Sequence, residues 1–244
     1  MIHNQSETDD ERRRIQWRQD SICATDRSGD QPLSQEKLYD VVVACGAPAA
    51  LSWATLRKLR QGATVDTQRY KAVDFFWQSF DLNQSDKMGS LLAGNTSTGK
   101  TTLAVAALRF AALKGYTIRF ISYEDFVQMH RDEMNLSMNA SKYEDYAYRM
   151  DAIQFELWRW REVYEVLVID DIFRTDQPAI FREKMHELIR SRFDHNSFTI
   201  VTTNLTAETL RSIDTRLFDF MFREYARFTF GQDDNVVPVI GGKG

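Results

Sequence analysis

From Lys87 onward, short apolar runs alternate along the chain with longer helical patterns. The apolar runs are Leu91–Ala93, Thr117–Ile121, Val166–Ile169 and Phe198–Val201. The helical patterns between them are Thr102–Lys114, a long region after the second run, and Ile180–Phe193. Strands that alternate with helices are typical of βα units. The sequence therefore predicts an α/β fold in which a parallel β-sheet is flanked by helices.

The segment before this region has a different character. Its first part is polar and charged, with too little apolar content to order a core, and two short helices are predicted next, Ser34–Cys45 and Pro48–Arg60, separated by Gly46. A stripe of Tyr70, Val73, Trp77 and Phe80 then marks an amphipathic helix that leads into the main domain. The predicted divisions are a polar arm over 1–32, a helical N-terminal partner-binding module over 33–66, the main domain over 67–232 and a C-terminal tail over 233–244.

Composition and charge narrow the class of protein. The 244 residues carry 31 basic and 35 acidic side chains, a formal net charge of −4, so the whole molecule offers no basic footprint for nucleic acid. Cys23 and Cys45 lie far apart and lack neighbours at metal-ligand spacing, so the sequence indicates neither a disulfide framework nor a zinc site. The apolar stretch from Val41 to Leu51 is too short and too broken to span a bilayer. These features predict a cytoplasmic protein without membrane contact.

The strongest motif is Gly94-Asn95-Thr96-Ser97-Thr98-Gly99-Lys100-Thr101, which matches G-x-x-x-x-G-K-[ST] at every fixed position. A predicted strand precedes it and a predicted helix follows, the context in which backbone N–H groups and a helix N-terminus surround a phosphate. Lys100 is expected to reach the β- and γ-phosphate oxygens, and the Thr101 hydroxyl to ligate Mg²⁺. The predicted ATP-binding residues are Gly94, Asn95, Thr96, Ser97, Thr98, Gly99, Lys100, Thr101 and Thr102.

Two further strand ends carry the remaining candidate chemistry. Asp170 and Asp171 end a buried-type strand, where a phosphate-loop ATPase needs one acid for Mg²⁺ and a second to orient or activate water. We assign the metal role to Asp170 and the water role to Asp171. Asn204 follows the next strand and is placed to sense the γ-phosphate.

Together these motifs resemble the AAA+ ATPases, and within them the branch that contains the DnaC and DnaI helicase loaders and the IstB transposition helpers. The resemblance covers about Gln68 to Phe230 and also rests on three later stretches. These are Leu188–Phe193 and Thr202–Leu205 followed by Asp214–Leu217. The resemblance implies ATP at a boundary between copies of the chain, Asn204 as the first sensor, an arginine donated from a neighbouring copy, and an N-terminal extension that binds the replicative helicase.

The sequence departs from that family pattern at three places. A second arginine commonly lies four residues after the position of Arg216, but Phe220 stands there and the next arginine is Arg223, so either arginine is a candidate for the donated group. Ile172-Phe173 replaces the more usual Leu-Gly or Ile-Gly after the paired acids. A lid domain after Phe230 is expected to be absent or minimal.

Two segments allow alternative interpretations. In Met134–Tyr164 the residues Tyr146, Met150, Ile153, Leu157, Trp160 and Tyr164 lie on one helix face, which favours packing over base stacking. A contact with single-stranded DNA remains a hypothesis for the residues off that face, Arg149, Trp158, Arg159 and Arg161. The helices between Ser34 and Arg60 form either a protein-docking module or a helix-turn-helix, and the docking module is favoured by the resemblance alone.

The function predicted from these observations is that of an ATP-dependent helicase loader, an ATPase that assembles through its nucleotide site and delivers a replicative hexameric helicase to single-stranded DNA. The alternative is an IstB-like transposition helper that binds duplex DNA and recruits a transposase. A metabolic phosphate-loop kinase is disfavoured, because Asn204 follows Asp171 in the sensor arrangement and no lid for an acceptor substrate is evident.

Overall fold

The fold is built on one five-stranded parallel sheet, described from a computed structural model. The structure describes residues 34–64, 67–82, 86–140, 145–174 and 177–231. The strands are β1 (Gly89–Gly94), β2 (Ile118–Ser122), β3 (Val166–Asp170), β4 (Phe198–Thr203) and β5 (Ala226–Phe230). Their order across the sheet is β2-β3-β4-β1-β5, and every neighbouring pair is parallel. The predicted α/β class is thereby confirmed.

Helices cover both faces of this sheet. They are α1 (Gln35–Ala44), α2 (Leu56–Gln61), α3 (Gln68–Trp77), α4 (Lys100–Leu113), α5 (Tyr123–Met138), α6 (Tyr146–Glu162), α7 (Ala179–Asp194), α8 (Ala207–Ile213) and α9 (Thr215–Glu224), with a 3-10 turn at Ala49–Leu51 and a π-helical turn at Gln78–Leu82. One apolar core joins α1 to α4 with one face of the sheet, and a second joins α5 to α9 with the other face. The result is a three-layer sandwich with the sheet in the middle.

The structure changes three of the sequence-based elements. The helix expected over Pro48–Arg60 is a 3-10 turn and the short helix α2, because Thr55 is extended and its side chain caps α2 by accepting from the Lys58 N–H. The long helical region after β2 is two helices, α5 and α6. The fifth strand, β5, was not predicted, because this half-exposed edge strand alternates apolar and polar residues and lacks a continuous apolar run.

The N-terminal helices are not detached from the sheet. Leu38, Val42 and Leu56, whose side chains a docking module would leave partly available to a partner, are almost completely buried against the phosphate-loop side of the sheet. Arg109 of α4 donates to the Ser52 carbonyl at 2.7 Å and to the Gln35 side chain at 2.7 Å, so it fastens these helices to α4. The domain boundary near residue 66 therefore stays a prediction.

Trp53 is the largest exposed apolar side chain of this N-terminal segment, with 46% of its surface accessible. Its ring stacks on Tyr39 at 4.5 Å. The predicted arm over 1–32 and tail over 233–244 lie outside the described residues, as does any segment after Gly231. Among the described residues, no helix is long and apolar enough to cross a membrane.

Candidate nucleotide site

Backbone conformation shapes the loop between β1 and α4. Gly94 has φ 139° at the end of β1, and a Cβ there would collide with the Phe230 carbonyl oxygen of β5. Gly99 has φ 84° immediately before α4 begins. Both values lie in the region that L side chains avoid, so glycine is required at the two fixed positions of the motif. The loop thereby turns the N-terminus of α4 toward the carboxyl edge of the sheet, where it faces an anion favourably.

The Lys100 side chain lies inside this loop. Its ammonium donates to the carbonyls of Gly94 at 2.8 Å and Asn95 at 2.6 Å, and the residue is only 5% exposed. Burial lowers the pKa of Lys100, and the nearby carboxylates of Asp171 and Asp170 oppose part of that shift. The ammonium is surrounded by carbonyl oxygens of the loop, and phosphate oxygens can take their place as hydrogen-bond acceptors.

Thr101 joins the loop to the end of β3. Its hydroxyl donates to the Asp170 carboxylate, with Oγ1 3.0 Å from Oδ1. Burial raises the pKa of Asp170, while hydrogen bonds from Thr202 and Thr101 oppose the shift. A hydroxyl and a carboxylate oxygen in contact are a donor set that suits Mg²⁺, which prefers hard oxygen ligands.

Asp171 lies beside this pair in a constrained backbone. Its φ of 62° is left-handed, and its N–H donates to the Thr202 hydroxyl at 2.9 Å. The Asn204 side-chain amide donates to the Asp171 carboxylate, and an Arg174 guanidinium nitrogen lies 3.5 Å from its other oxygen. The strand order places the ends of β3, β4 and β1 side by side, which is how the three predicted groups come together.

Thr202 links the two acids and was missed in the sequence analysis as a site residue. Its hydroxyl donates to Asp170 Oδ1 at 2.6 Å and accepts from the Asp171 N–H. A signal was present: β4 is buried along its whole length, yet three of its six residues are threonines. Buried hydroxyls need hydrogen-bond partners, so a threonine near the carboxyl end of such a strand indicates a polar contact there.

We expect Thr202→Val, which keeps the side-chain shape, to weaken metal-dependent chemistry. The change leaves the Asp171 N–H without its acceptor and removes one donor from Asp170, at a cost of about 1–3 kcal/mol for the buried group. The Mg²⁺ concentration that half-saturates ATP hydrolysis should rise roughly tenfold, on the order of 1.4 kcal/mol. Thr229→Val, on the exposed side of β5, is the matched control. An unchanged Mg²⁺ dependence would contradict a role of Thr202 in metal binding.

Comparison with known proteins decides the family. A family model described as "IstB-like ATP binding protein" matches residues 79–216, more than half of the chain. The chain belongs to the IstB-like ATP-binding family. This IstB-like protein has the AAA+ phosphate-loop fold that the motifs predicted. The residues that match the ATP-binding family model include the whole loop from Gly94 to Thr101. No curated protein matches it significantly.

Solved structures of replication proteins share the fold at low sequence identity. The replication initiator DnaA bound to AMPPCP and single-stranded DNA is 16% identical, with a TM-score of 0.59 over 75% of this chain and 51% of that one. DnaI is 15% identical, with a TM-score of 0.56 over 78% and 94% of the two chains. The DnaC helicase loader is 19% identical, with a TM-score of 0.54 over 73% and 97%. The IstB-like chain thus spans about half the length of the DnaA structure and nearly all of the two others.

The two candidate arginines lie at opposite ends of α9. Arg216 is exposed in the first turn and lines a cavity of about 290 Å³ together with Arg182 of α7. Arg223 is exposed in the last turn, and its carbonyl accepts from the Lys87 ammonium at 2.9 Å, just before β1 begins. Arg223 is therefore at the amino edge of the sheet, whereas the phosphate loop is at the carboxyl edge.

Helix α6 packs mainly as its spacing predicted. Leu157, Trp160 and Tyr164 are buried, and Ile153 packs against the same core. The residues off that face have local partners that include acids: Trp158 donates to Glu162, Arg159 pairs with Glu156, and Arg149 lies 4.0 Å from Asp145. Their contact with DNA stays a prediction.

Proposed function

We propose that the protein hydrolyses ATP with Mg²⁺ at this site and uses the cycle to load a replicative helicase. The observation that carries the ATPase proposal is a connected set of hydrogen bonds from Thr101 through Asp170 and Thr202 to Asp171 and Asn204. Thr101 and Asp170 would hold Mg²⁺, which when bound neutralises charge on the β- and γ-phosphates. Their oxygen donors fit that ion.

Each remaining side chain then has a role that its contacts support. Lys100 binds the phosphate oxygens in a loop with little solvent, where a charge-assisted hydrogen bond is strong. Asp171 polarises the attacking water, and Asn204 holds its carboxylate in one orientation. The side chains of the loop residues from Asn95 to Ser97 are exposed, while Thr98 is buried and donates to the Asn95 carbonyl at 2.8 Å. Backbone N–H groups of the loop therefore supply most of its contacts with phosphate.

The loader role is supported by the large share of two known structures, DnaC and DnaI, that the fold match covers. The fold match extends over 97% of a DnaC helicase loader structure and 94% of a DnaI structure, so nearly all of each of those folds has a counterpart in 73% and 78% of this chain. The partners that follow from this role are a replicative hexameric helicase, single-stranded DNA and further copies of this chain, with ATP bound between copies. The alternative is a transposition helper that binds duplex DNA and recruits a transposase, and the IstB-like description of the family favours it.

The roles are tested by capture of purified partners with the full chain. The loader proposal predicts that the cognate replicative helicase co-purifies with the protein in an ATP-dependent manner, and that single-stranded DNA binds more tightly than duplex. Lys100→Ala is the control that removes the nucleotide response. Binding of the transposase and of duplex DNA, with no binding of the helicase, would replace the loader role by the transposition role.

We further propose that Arg223 completes the site of a neighbouring copy. Contacts between identical chains that join opposite surfaces form rings or filaments, and Arg223 lies at the sheet edge opposite to the phosphate loop. At a rise of 1.5 Å per residue, Arg216 lies about 10 Å from Arg223 along α9, in the direction of the carboxyl edge of the sheet. An arginine that acts across an interface stabilises charge that develops in the transition state.

Arg223→Ala is expected to lower the turnover number about 10³-fold or more while ATP binding remains. In mixtures with Lys100→Ala subunits, hydrolysis should recover in part, because each subunit supplies the group that the other lacks. Arg216→Ala is the matched variant, and the same recovery with Arg216→Ala alone would transfer the role to Arg216. Absence of recovery for both, with assembly unchanged, would contradict a shared site.

A further inference from the structure

The loop that follows β3 has a left-handed backbone at two residues that are separated by one residue. Asp171 has φ 62° and Phe173 has φ 57°, and neither residue is a glycine. A left-handed backbone is unfavourable for a residue with a Cβ, and glycine adopts this conformation with less strain than phenylalanine. The Phe173 side chain therefore needs a reason of its own at this position.

The reason is an anchoring contact with helix α5. Phe173 is 5% exposed, and its ring meets Tyr123 edge to face, with ring centroids 5.2 Å apart. Tyr123 is the first residue of α5, is itself buried, and stacks on Phe126 one turn further along. Edge-to-face packing of buried aromatic rings is favourable and directional. The contact thus offsets the strained backbone and fixes the end of the loop against α5.

Helix α5 holds the same segment at a second place. Arg131 donates to the Gln177 side chain at 2.6 Å, and its guanidinium lies over the Phe181 ring at the start of α7. On the other side, the backbone of the loop is hydrogen-bonded to β4, since Ile172 N–H donates to the Thr202 carbonyl at 3.0 Å. Asp171 directly precedes Ile172 and lies two residues before Phe173, so both attachments limit the movement of the segment that carries it.

From this geometry we propose that Phe173 is a positioning residue that sets the direction of the Asp171 carboxylate through its contact with Tyr123. The inference rests on the proposed role of Asp171 in ATP hydrolysis. Phe173 limits the rotation of the short segment that carries Asp171. A carboxylate displaced by about 1 Å from the attacking water loses on the order of 10²-fold in rate.

The test separates positioning from folding by its choice of variants. Phe173→Gly removes the ring, which leaves a cavity in the core, and also removes the backbone strain, which offsets part of that loss. Phe173→Leu keeps an apolar anchor, and Tyr123→Leu breaks the same contact from the α5 side. Phe198→Leu removes another buried ring, at the amino edge of the sheet away from the nucleotide loop, and is the control for loss of a buried ring as such.

We expect Phe173→Gly to lower kcat for ATP by at least about tenfold while KM and the affinity for a nucleotide analogue change less than about threefold, which marks loss of an interaction made in the transition state. Phe173→Leu should recover most of kcat. The Phe173→Gly, Tyr123→Leu double variant should lose little more than Phe173→Gly alone, because both changes break one contact. Wild-type kcat in Phe173→Gly, or a parallel loss of kcat and nucleotide affinity, would overturn the inference.

Asp171→Asn, measured beside these variants, separates the inference from the proposal on which it rests. Unchanged turnover in Asp171→Asn would contradict the role of Asp171 itself. A large loss in Asp171→Asn together with wild-type turnover in Phe173→Gly would contradict only the role of Phe173.

Discussion

Replacing Lys100 by alanine is expected to abolish ATP binding at working nucleotide concentrations. The ammonium is nearly buried and within hydrogen-bond distance of two loop carbonyls, so its removal leaves the triphosphate without its compensating charge in a site of low solvent access. Truncating one member of a buried charge pair costs about 2–5 kcal/mol or more, which corresponds to a loss of about 30-fold to several thousand-fold in affinity. Equilibrium titration with a fluorescent ATP analogue measures this loss of affinity.

Lys114→Ala is the matched control for this prediction. Lys114 follows the last residue of the same helix, and α4 has 14 residues, so the backbones of Lys100 and Lys114 are separated by roughly 21 Å along the helix axis. The control therefore removes the same side chain from the same helix without touching the phosphate loop. Wild-type affinity in Lys100→Ala would refute the assignment of this loop as the nucleotide site.

The sequence predicted well those parts that local chemistry determines. The phosphate loop needs glycine at Gly94 and Gly99 because both have a positive φ, and the apolar run Val166–Ile169 forms the buried part of a strand in the sheet. Positive φ angles and continuous apolar runs are local properties of the chain, so a sequence motif reveals them without knowledge of tertiary contacts. The order of strands then brings Asp171 and Asn204 together, as expected for carboxyl ends of neighbouring parallel strands.

Features that depend on tertiary contacts could not be predicted in the same way. The sequence indicates helices near Ser34 and Leu56, but their burial against α4 depends on Arg109, which lies more than fifty residues later. Phe173 stands where the related pattern usually has glycine, and only its contact with Tyr123 explains the residue. The role of Thr202 likewise depends on where β3 and β4 end relative to one another.

Asp171→Asn is expected to leave Mg·ATP bound and to lower its hydrolysis by about 10²–10⁴-fold, the usual contribution of a group that accepts a proton or polarises water. Asparagine is an informative replacement here because it tolerates the left-handed backbone of this position, with φ 62°. Its amide oxygen can still accept from Asn204, so the local hydrogen bond is retained while the negative charge is lost. Nucleotide affinity and single-turnover hydrolysis, measured on one preparation, separate binding from chemistry.

Two further variants are controls for this result. Asp194→Asn, at the exposed end of α7, removes a carboxylate that pairs only with Arg190 among the described contacts and should leave hydrolysis unchanged. Asp170→Asn should instead raise the Mg²⁺ requirement for nucleotide binding, because the Asp170 carboxylate contacts the Thr101 hydroxyl. If Asp171→Asn turned over ATP at the wild-type rate while Asp170→Asn did not, the attacking water would have to be activated by a group other than Asp171.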